Sequence, residues 1–324
     1  MVKADGYGHG AVKVARAALD GGATRLAVAT LPEARQLEGL VPADHILVMG
    51  GIPADQARTA ATSGCAIGVS GLDAAKALAE AEEVVPVHLK IDTGMGRFGA
   101  AAEEATGIAK YVEASDGLLL AGTWTHFASA DSDVQMTRHQ FERFTETLDH
   151  LGVDPGLRHA CNSAASHHFP EYALDAVRCG IALYGCQWTG LEPALTLHAL
   201  VTHLKTVRPG DTVGYGATWR AREATQVATI AIGYADGVHR LRSNRGHVLV
   251  RGHRAPLIGT VSMDAITADV GGIEGVEVGD IVTLIGRDGE ERITAEDVGR
   301  WSGTISYEVL TSLGHRVERV YRNS

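Results

Sequence analysis

The chain has 324 residues, enough for one large domain or two ordinary ones. Hydrophobic residues make up 45% and charged residues 21%, the balance of a soluble globular protein with a sizeable core. A net charge of −10 and the lack of any Lys/Arg-rich run argue against a nucleic-acid binder, and the longest apolar runs, such as residues 117–122, are far too short to span a bilayer. Only two residues precede Lys3, so no secretory signal is expected there. Cys65, Cys161, Cys179 and Cys186 have no C-x-x-C spacing, which reads most simply as a reduced, cytoplasmic protein. The fifteen histidines show no H-E-x-x-H spacing, and no metal is expected.

The first ten residues, MVKADGYGHG, pass directly into a good helix former at 11–19. That is strand, tight glycine loop and helix, with Lys3 at the strand end. In parallel α/β proteins, ligands and chemistry collect at strand C-terminal ends. A lysine there is partly desolvated, which lowers its pKa and makes it a nucleophile toward carbonyls. The plain alternative is a surface lysine before a loop.

Apolar strands near 2–3, 26–30, 46–50, 66–70, 85–92, 118–126, 158–163 and 176–182 alternate with helices at 32–40, 53–63, 72–82, 101–113, 132–151 and around 166–169. Eight strands, each followed by helix or turn, is the count of a (β/α)8 barrel. An open dinucleotide-binding sheet is the rival. Gly94, Gly96 and Gly99 match G-x-G-x-x-G, but no acidic residue ends the next strand. After about residue 190 the segments are short, β-branched and punctuated by turns: 201–207, 227–232, 247–250, 255–258, 265–269 and 281–284, then a helix at 295–301 and a last strand near 317–321. The expected organisation is a barrel over 1–190 with a stub for its first strand, then a mostly β domain over 191–324.

Several residues stand where chemistry is expected. Alternation puts His88, Lys90 and Asp92 on one face of a strand, which is costly unless they are paired or functional. Arg97 follows in the glycine-rich loop, and His126 ends the next strand. Ser163 precedes two alanines and reads as a helix cap or a phosphate-binding helix start. Gly180 leaves its backbone N–H accessible to an anion. Tyr215, between two glycines in the β domain, sits in a permissive backbone that lets its ring project.

The segments KADGYGHG, DTGMGR, THFA, NSAA, RCGIALYG, GYGATW, GYADG, SMDA and RVERVY occur in this order along nearly the whole chain. Together they resemble the alanine racemases, enzymes of D-alanine and peptidoglycan synthesis. The resemblance implies that Lys3 carries pyridoxal 5′-phosphate (PLP) as a Schiff base and is one of two catalytic bases. It makes Tyr215 the other base, acting on L-alanine from the second subunit of a homodimer. Tyr7, His126, Asn162, Ser163, Arg178, Gly180 and Ile181 become cofactor-binding residues, and Arg97 and Met263 substrate-binding ones. Lys90, often carbamylated in the family, would then be an anionic partner for Arg97. Tyr234 and Asp264 support the substrate entrance. An arginine at 178 implies an unprotonated pyridine nitrogen and suppressed transamination. Tyrosine's ordinary pKa, about 10, calls for a nearby cation, which the resemblance supplies as His126 backed by Arg178.

Three departures stand out. Family chains carry about one strand and one helix before the lysine strand, His315 stands where the family often has a phosphate-contacting tyrosine, and Cys179 replaces a more usual proline or phenylalanine. The alternatives are a racemase of broader specificity, a PLP decarboxylase, and a non-catalytic PLP-binding protein. Arg178 argues against the decarboxylase, and residues 191–324 argue against the carrier.

Overall fold

A computed structural model describes residues 1–322. The chain divides into two compact units, one made of Met1–Gly6 with Gly10–Leu183, the other of Tyr7–His9 with the chain from Tyr184 onward.

In the first unit seven parallel strands are hydrogen-bonded in chain order. They are β1 (Leu26–Val28), β2 (Ile46–Val48), β3 (Ala66–Val69), β4 (Val85–Lys90), β5 (Leu118–Trp124), β6 (Leu157–Asn162) and β7 (Ala176–Arg178). β2 and β3 are buried at every position, as expected of strands covered on both faces by crossover helices. The main helices are Ala11–Asp20, Leu72–Ala79, Ala102–Glu113 and Val134–His150, with shorter ones at Leu31–Arg35, Ala57–Ala61 and Ser163–His168.

The strand expected at 2–3 does not form. Val2 N–H donates to Ala27 O and the Met1 nitrogen to Cys179 O, both at 3.0 Å, so two residues alone bridge the edges at β1 and β7. Beyond Lys3 the backbone turns at once. Ala4, Asp5, Gly6 and Tyr7 have φ of 51°, 52°, 60° and 54°, a left-handed turn that leaves nothing extended to pair. Such a turn costs about 1–2 kcal/mol for each non-glycine residue. Local bonds hold it: Gly6 N–H to Val2 O (2.9 Å), Gly10 N–H to Asp5 O (2.8 Å) and Ala11 N–H to Asp5 Oδ1 (2.9 Å).

In the second unit β8 (Leu197–Val207), β11 (Thr225–Ile230), β12 (His247–Val250), β13 (His253–Ile258), β14 (Ile266–Asp269) and β15 (Ile281–Asp288) form an antiparallel sheet in which β12 pairs with both β13 and β15. These six strands therefore close on themselves, which removes exposed edges. The pair β9 (Thr212–Val213) and β10 (Trp219–Arg220) flanks the Tyr215 turn, and β16 (Glu291–Ile293) extends β15. The strand expected at 317–321 is also absent. There the Arg319 guanidinium donates to the carbonyls of Leu313 (2.8 Å), Val317 (2.6 Å) and Gly8 (3.3 Å), taking the place of a ladder. No helix among the described residues is long and apolar enough to cross a membrane.

Two glycines of the first unit should respond in opposite directions to alanine. A Cβ on Gly122 would lie 2.5 Å from the His88 ring and 2.7 Å from Leu157 O. Gly122→Ala should therefore destabilise by about 1–3 kcal/mol. Gly107, inside the helix Ala102–Glu113, has open space where its Cβ would go, so Gly107→Ala should stabilise by roughly 0.5–1 kcal/mol. Denaturant midpoints of the two variants test both signs.

Candidate active site

Arg178 ends β7, buried beneath the strand ends. Its Nη1 donates to His159 Nδ1 (2.8 Å) and His159 O (2.9 Å). Its Nη2 donates to Thr125 O (2.6 Å), Ala160 O (2.9 Å) and His126 Nδ1 (3.3 Å). One guanidinium thus ties together the ends of β5, β6 and β7. Its Nε, also buried, has no hydrogen-bond partner among the described residues. Burial pushes Arg178 down to about 9, which leaves it charged at neutral pH.

An arginine can only donate, so the Nδ1 atoms of His126 and His159 are acceptors and their protons sit on Nε2. His159 Nε2–H then donates to His88 Nδ1 at 2.9 Å. Burial first, and then Arg178, Arg97, Lys90 and Lys3, hold His126 down to about 3. Burial also holds His88 down to about 4 and His159 well below the ordinary value. The cation expected at His126 is therefore a neutral imidazole, a hydrogen-bond donor among four positive side chains.

Lys3 is partly buried, and burial lowers its pKa, with Arg97 adding to the effect and Glu33 opposing it. Glu33 also holds the lysine turn in place. Its Oε1 accepts from Ala4 N–H (2.8 Å) and its Oε2 from Ala29 N–H (2.7 Å). Lys90 is buried and donates to Phe98 O, with its nitrogen 4.4 Å from the Phe98 ring centre. Burial lowers its pKa to about 8, so a share of it is neutral amine near neutral pH. Asp92 accepts from the N–H groups of Gly94, Met95 and Gly96 at 2.9–3.2 Å, which folds the loop that carries Arg97 outward.

The loops after β6 and β7 meet through Ser163. The cap of the helix Ser163–His168 is Asn162, whose side chain accepts from Ala165 N–H (2.9 Å). Ser163 Oγ instead accepts from Gly180 N–H (2.7 Å) and Ala182 N–H (3.3 Å). The Gly180 amide expected to face an anion is therefore engaged. Ile181 is buried and opens the turn Ile181–Tyr184. Tyr7 belongs to the second unit, stacked on Tyr184 with ring centres 4.7 Å apart, and burial pushes its phenol up to about 12.

The second unit gathers the other candidates. Gly214 and Gly216, with φ of 76° and 73°, bracket Tyr215, whose carbonyl accepts from Thr260 Oγ1 at 2.7 Å. Tyr234 N–H and Ala235 N–H donate to Ser262 O and Met263 O at 3.0 Å each. Only a glycine at 233 allows this approach, because a Cβ there would collide with Met263 O. Arg316 joins Asp236 (3.1 Å) to Asp264 (2.8 Å). Tyr215 is 74% exposed and Met263 52%, and Tyr234 is also exposed.

Sequence pattern does not single out Glu33, His159 or Gln140, the last of which links Ala128 N–H and His126 O through its side chain. The Thr30-x-x-Glu33 capping box was a readable signal for the first. The others are recognisable only by their partners across strands. The neutral histidines also set a pH response. An unfolded imidazole takes up a proton below about 6.5, whereas the folded ones stay neutral to about 4 or lower. The unfolded state therefore binds more protons in that window, and stability falls as pH falls from about 6.5. Denaturant midpoints between pH 6.5 and 5, above the carboxylate range, should decline, and less steeply in His88→Gln.

The family description "Alanine racemase, N-terminal domain" matches residues 1–187, and "Alanine racemase, C-terminal domain" matches residues 194–321. An alanine racemase of Desulforamulus reducens is 45% identical over 99% of this chain and 90% of that one. The structure of an alanine racemase from Streptomyces coelicolor is similar over 100% of this chain and 91% of that one, with a TM-score of 0.94 and 36% identity. A histidine racemase of Leuconostoc mesenteroides is similar over 99% of this chain and 89% of that one, with a TM-score of 0.89 and 32% identity. With both halves matched and curated relatives similar along nearly their whole length, the chain belongs to the alanine racemase family.

Proposed function

We propose that the protein interconverts L- and D-alanine with PLP by a two-base mechanism, and so supplies D-alanine for peptidoglycan. The observation that carries this reading is the buried Arg178 Nε, a charged donor without a partner beneath the strand ends. It suits an unprotonated pyridine nitrogen. Lys3, Lys90, Arg97 and Arg178 all act electrostatically on His126, an environment suited to phosphate and carboxylate.

PLP, when bound, supplies an electron sink that acidifies the substrate's Cα–H. Lys3 would hold the cofactor, and its lowered pKa favours the free amine that takes the proton of D-alanine. The phenol of Tyr215 would serve L-alanine on the opposite face. Arg178, a cation that keeps its protons, would donate through Nε and leave the nitrogen unprotonated, which disfavours transamination. His126, as a neutral Nε2–H donor, would orient the tyrosine oxygen beside the ring. Arg97 and the Met263 amide would hold the substrate carboxylate, with Tyr234 and Asp264 at the approach to it. Tyr7, Asn162, Ser163 and Ile181 would hold the phosphate, with Gly180 acting through the amide that fixes Ser163. Lys90, as a carbamate formed from its neutral amine, would pair with Arg97.

We assign residues 1–190 to cofactor binding and 191–324 to the second base, with a homodimer as the active unit. The exposure of Tyr215 and Met263 supports this, since both residues stand open to a second surface. Four free thiols fit the reducing cytoplasm. The similarity to a histidine racemase favours a second reading, a broader substrate range. Racemisation rates for alanine, serine and histidine decide between them, with alanine expected to lead clearly.

Lys3→Ala should abolish racemisation in both directions and the visible absorbance of bound cofactor. Retained activity without added amine rejects the assignment. Mixing Lys3→Ala with Tyr215→Phe should restore activity, because each heterodimer has one site with both lesions and one with neither. No recovery after verified subunit exchange would mean that Tyr215 serves its own chain.

A further inference from the structure

The helix Val134–His150 buries three polar side chains, Thr137, Gln140 and Thr147, beside Phe144. The two threonine hydroxyls return to carbonyls of their own chain segment, Asp133 O and Arg143 O, at 2.7 Å each. Gln140 does not. It is 1% exposed, and its carboxamide reaches out of the helix to two other segments. Oε1 accepts from Ala128 N–H at 2.9 Å. Nε2 donates to His126 O at 3.2 Å and to Thr93 Oγ1 at 3.4 Å. Thr93 Oγ1 lies 2.8 Å from Thr125 Oγ1, which closes the network.

One amide thus spans the loop after β4, which carries Arg97, and the segment after β5, which carries His126. Both N–H donors and the carbonyl are used, so the buried group is satisfied. The His126 ring itself is weakly held. Its contact with Arg178, at 3.3 Å, is the longest that guanidinium makes. Its direction therefore depends on its backbone. Arg178 fixes that backbone at Thr125 O, and Gln140 fixes it at His126 O and Ala128 N. A methionine would fill the same volume without either clamp.

We propose that Gln140 is a positioning residue, which sets where the Nε2–H of His126 stands relative to the Arg97 loop and, through His126, serves the tyrosine half of the reaction. This rests on the reading of His126 as hydrogen-bond donor to the Tyr215 base.

The test compares Gln140→Met, Gln140→Glu and Tyr215→Phe as full-length holoenzymes in deuterium oxide, following deuterium uptake separately into L- and D-alanine. Misplacing a group by about 1 Å can cost roughly 100-fold. Gln140→Met should accordingly slow uptake into L-alanine by about 10- to 100-fold and leave D-alanine little changed. Its Ala128 amide should also lose protection from hydrogen exchange. Gln140→Glu can mimic one donor and the acceptor only when protonated, so its L-to-D ratio should recover as pH is lowered. This variant serves as the second test should the methionine variant fold poorly. Equal losses from both enantiomers, or an unaltered ratio with an unprotected Ala128 amide, would make Gln140 a structural residue only. If Tyr215→Phe itself shows no selective loss from L-alanine, the base assignment falls and takes the proposal with it. Selectivity in Tyr215→Phe but not in the Gln140 variants rejects the proposal alone.

Discussion

A guanidinium buried without a carboxylate would be prohibitively costly unless its protons found other acceptors. At Arg178 five acceptors supply that need, three of them backbone carbonyls, and they come from the ends of β5 and β6, the two strands that precede its own β7. Satisfying one charge therefore fixes the relative heights of the ends of β5, β6 and β7. It also determines two histidine tautomers, since a group that only donates forces Nδ1 of His126 and His159 to accept. The His159–His88 contact then follows as the next link. One proton-rich group sets the polarity of a chain of rings, and the donor left over is Nε.

The lysine end of the unit is organised by strain. Ala4, Asp5 and Tyr7 all occupy the left-handed region, which L-residues avoid. Asp5 and Glu33 compensate by accepting backbone N–H groups with their carboxylates. The benefit is a chain that reverses immediately after Lys3, which keeps the amine partly buried and its pKa lowered. Strained backbone held by surrounding bonds is a recurrent property of functional sites.

The second unit solves a packing problem with glycine. The loops around Tyr215, Tyr234 and Met263 lie so close that Gly233 and Gly259 admit no side chain: a Cβ on Gly233 would overlap Met263 O, and one on Gly259 would lie 2.8 Å from Val213 O. Close backbone contact in turn makes these loops rigid, so exposed aromatic rings stand on a firm base. Rigid, exposed residues of this kind are suited to meeting a second surface.

Local pattern was enough for much of this. Alternating strands and helices, the change to short β-branched segments after about residue 190, and the glycines around Lys3 and Tyr215 depend on neighbours in the chain, and a sequence displays those directly. So do ordered motifs such as DTGMGR and GYGATW. Tertiary structure decided what depends on partners distant in sequence. Residues 2–3 and 317–321 have strand-like composition, yet a left-handed turn and the Arg319 side chain respectively replaced their pairing. His126 looked like a cation by motif, but burial among four positive groups makes it neutral. Gly180 looked open to an anion until Ser163, 17 positions away, took its amide. Gln140 gave no local signal, because its partners at 93, 126 and 128 belong to other elements. Protonation states and hydrogen-bond partners are set by burial and by distances across the fold, and neither quantity exists until the chain has folded.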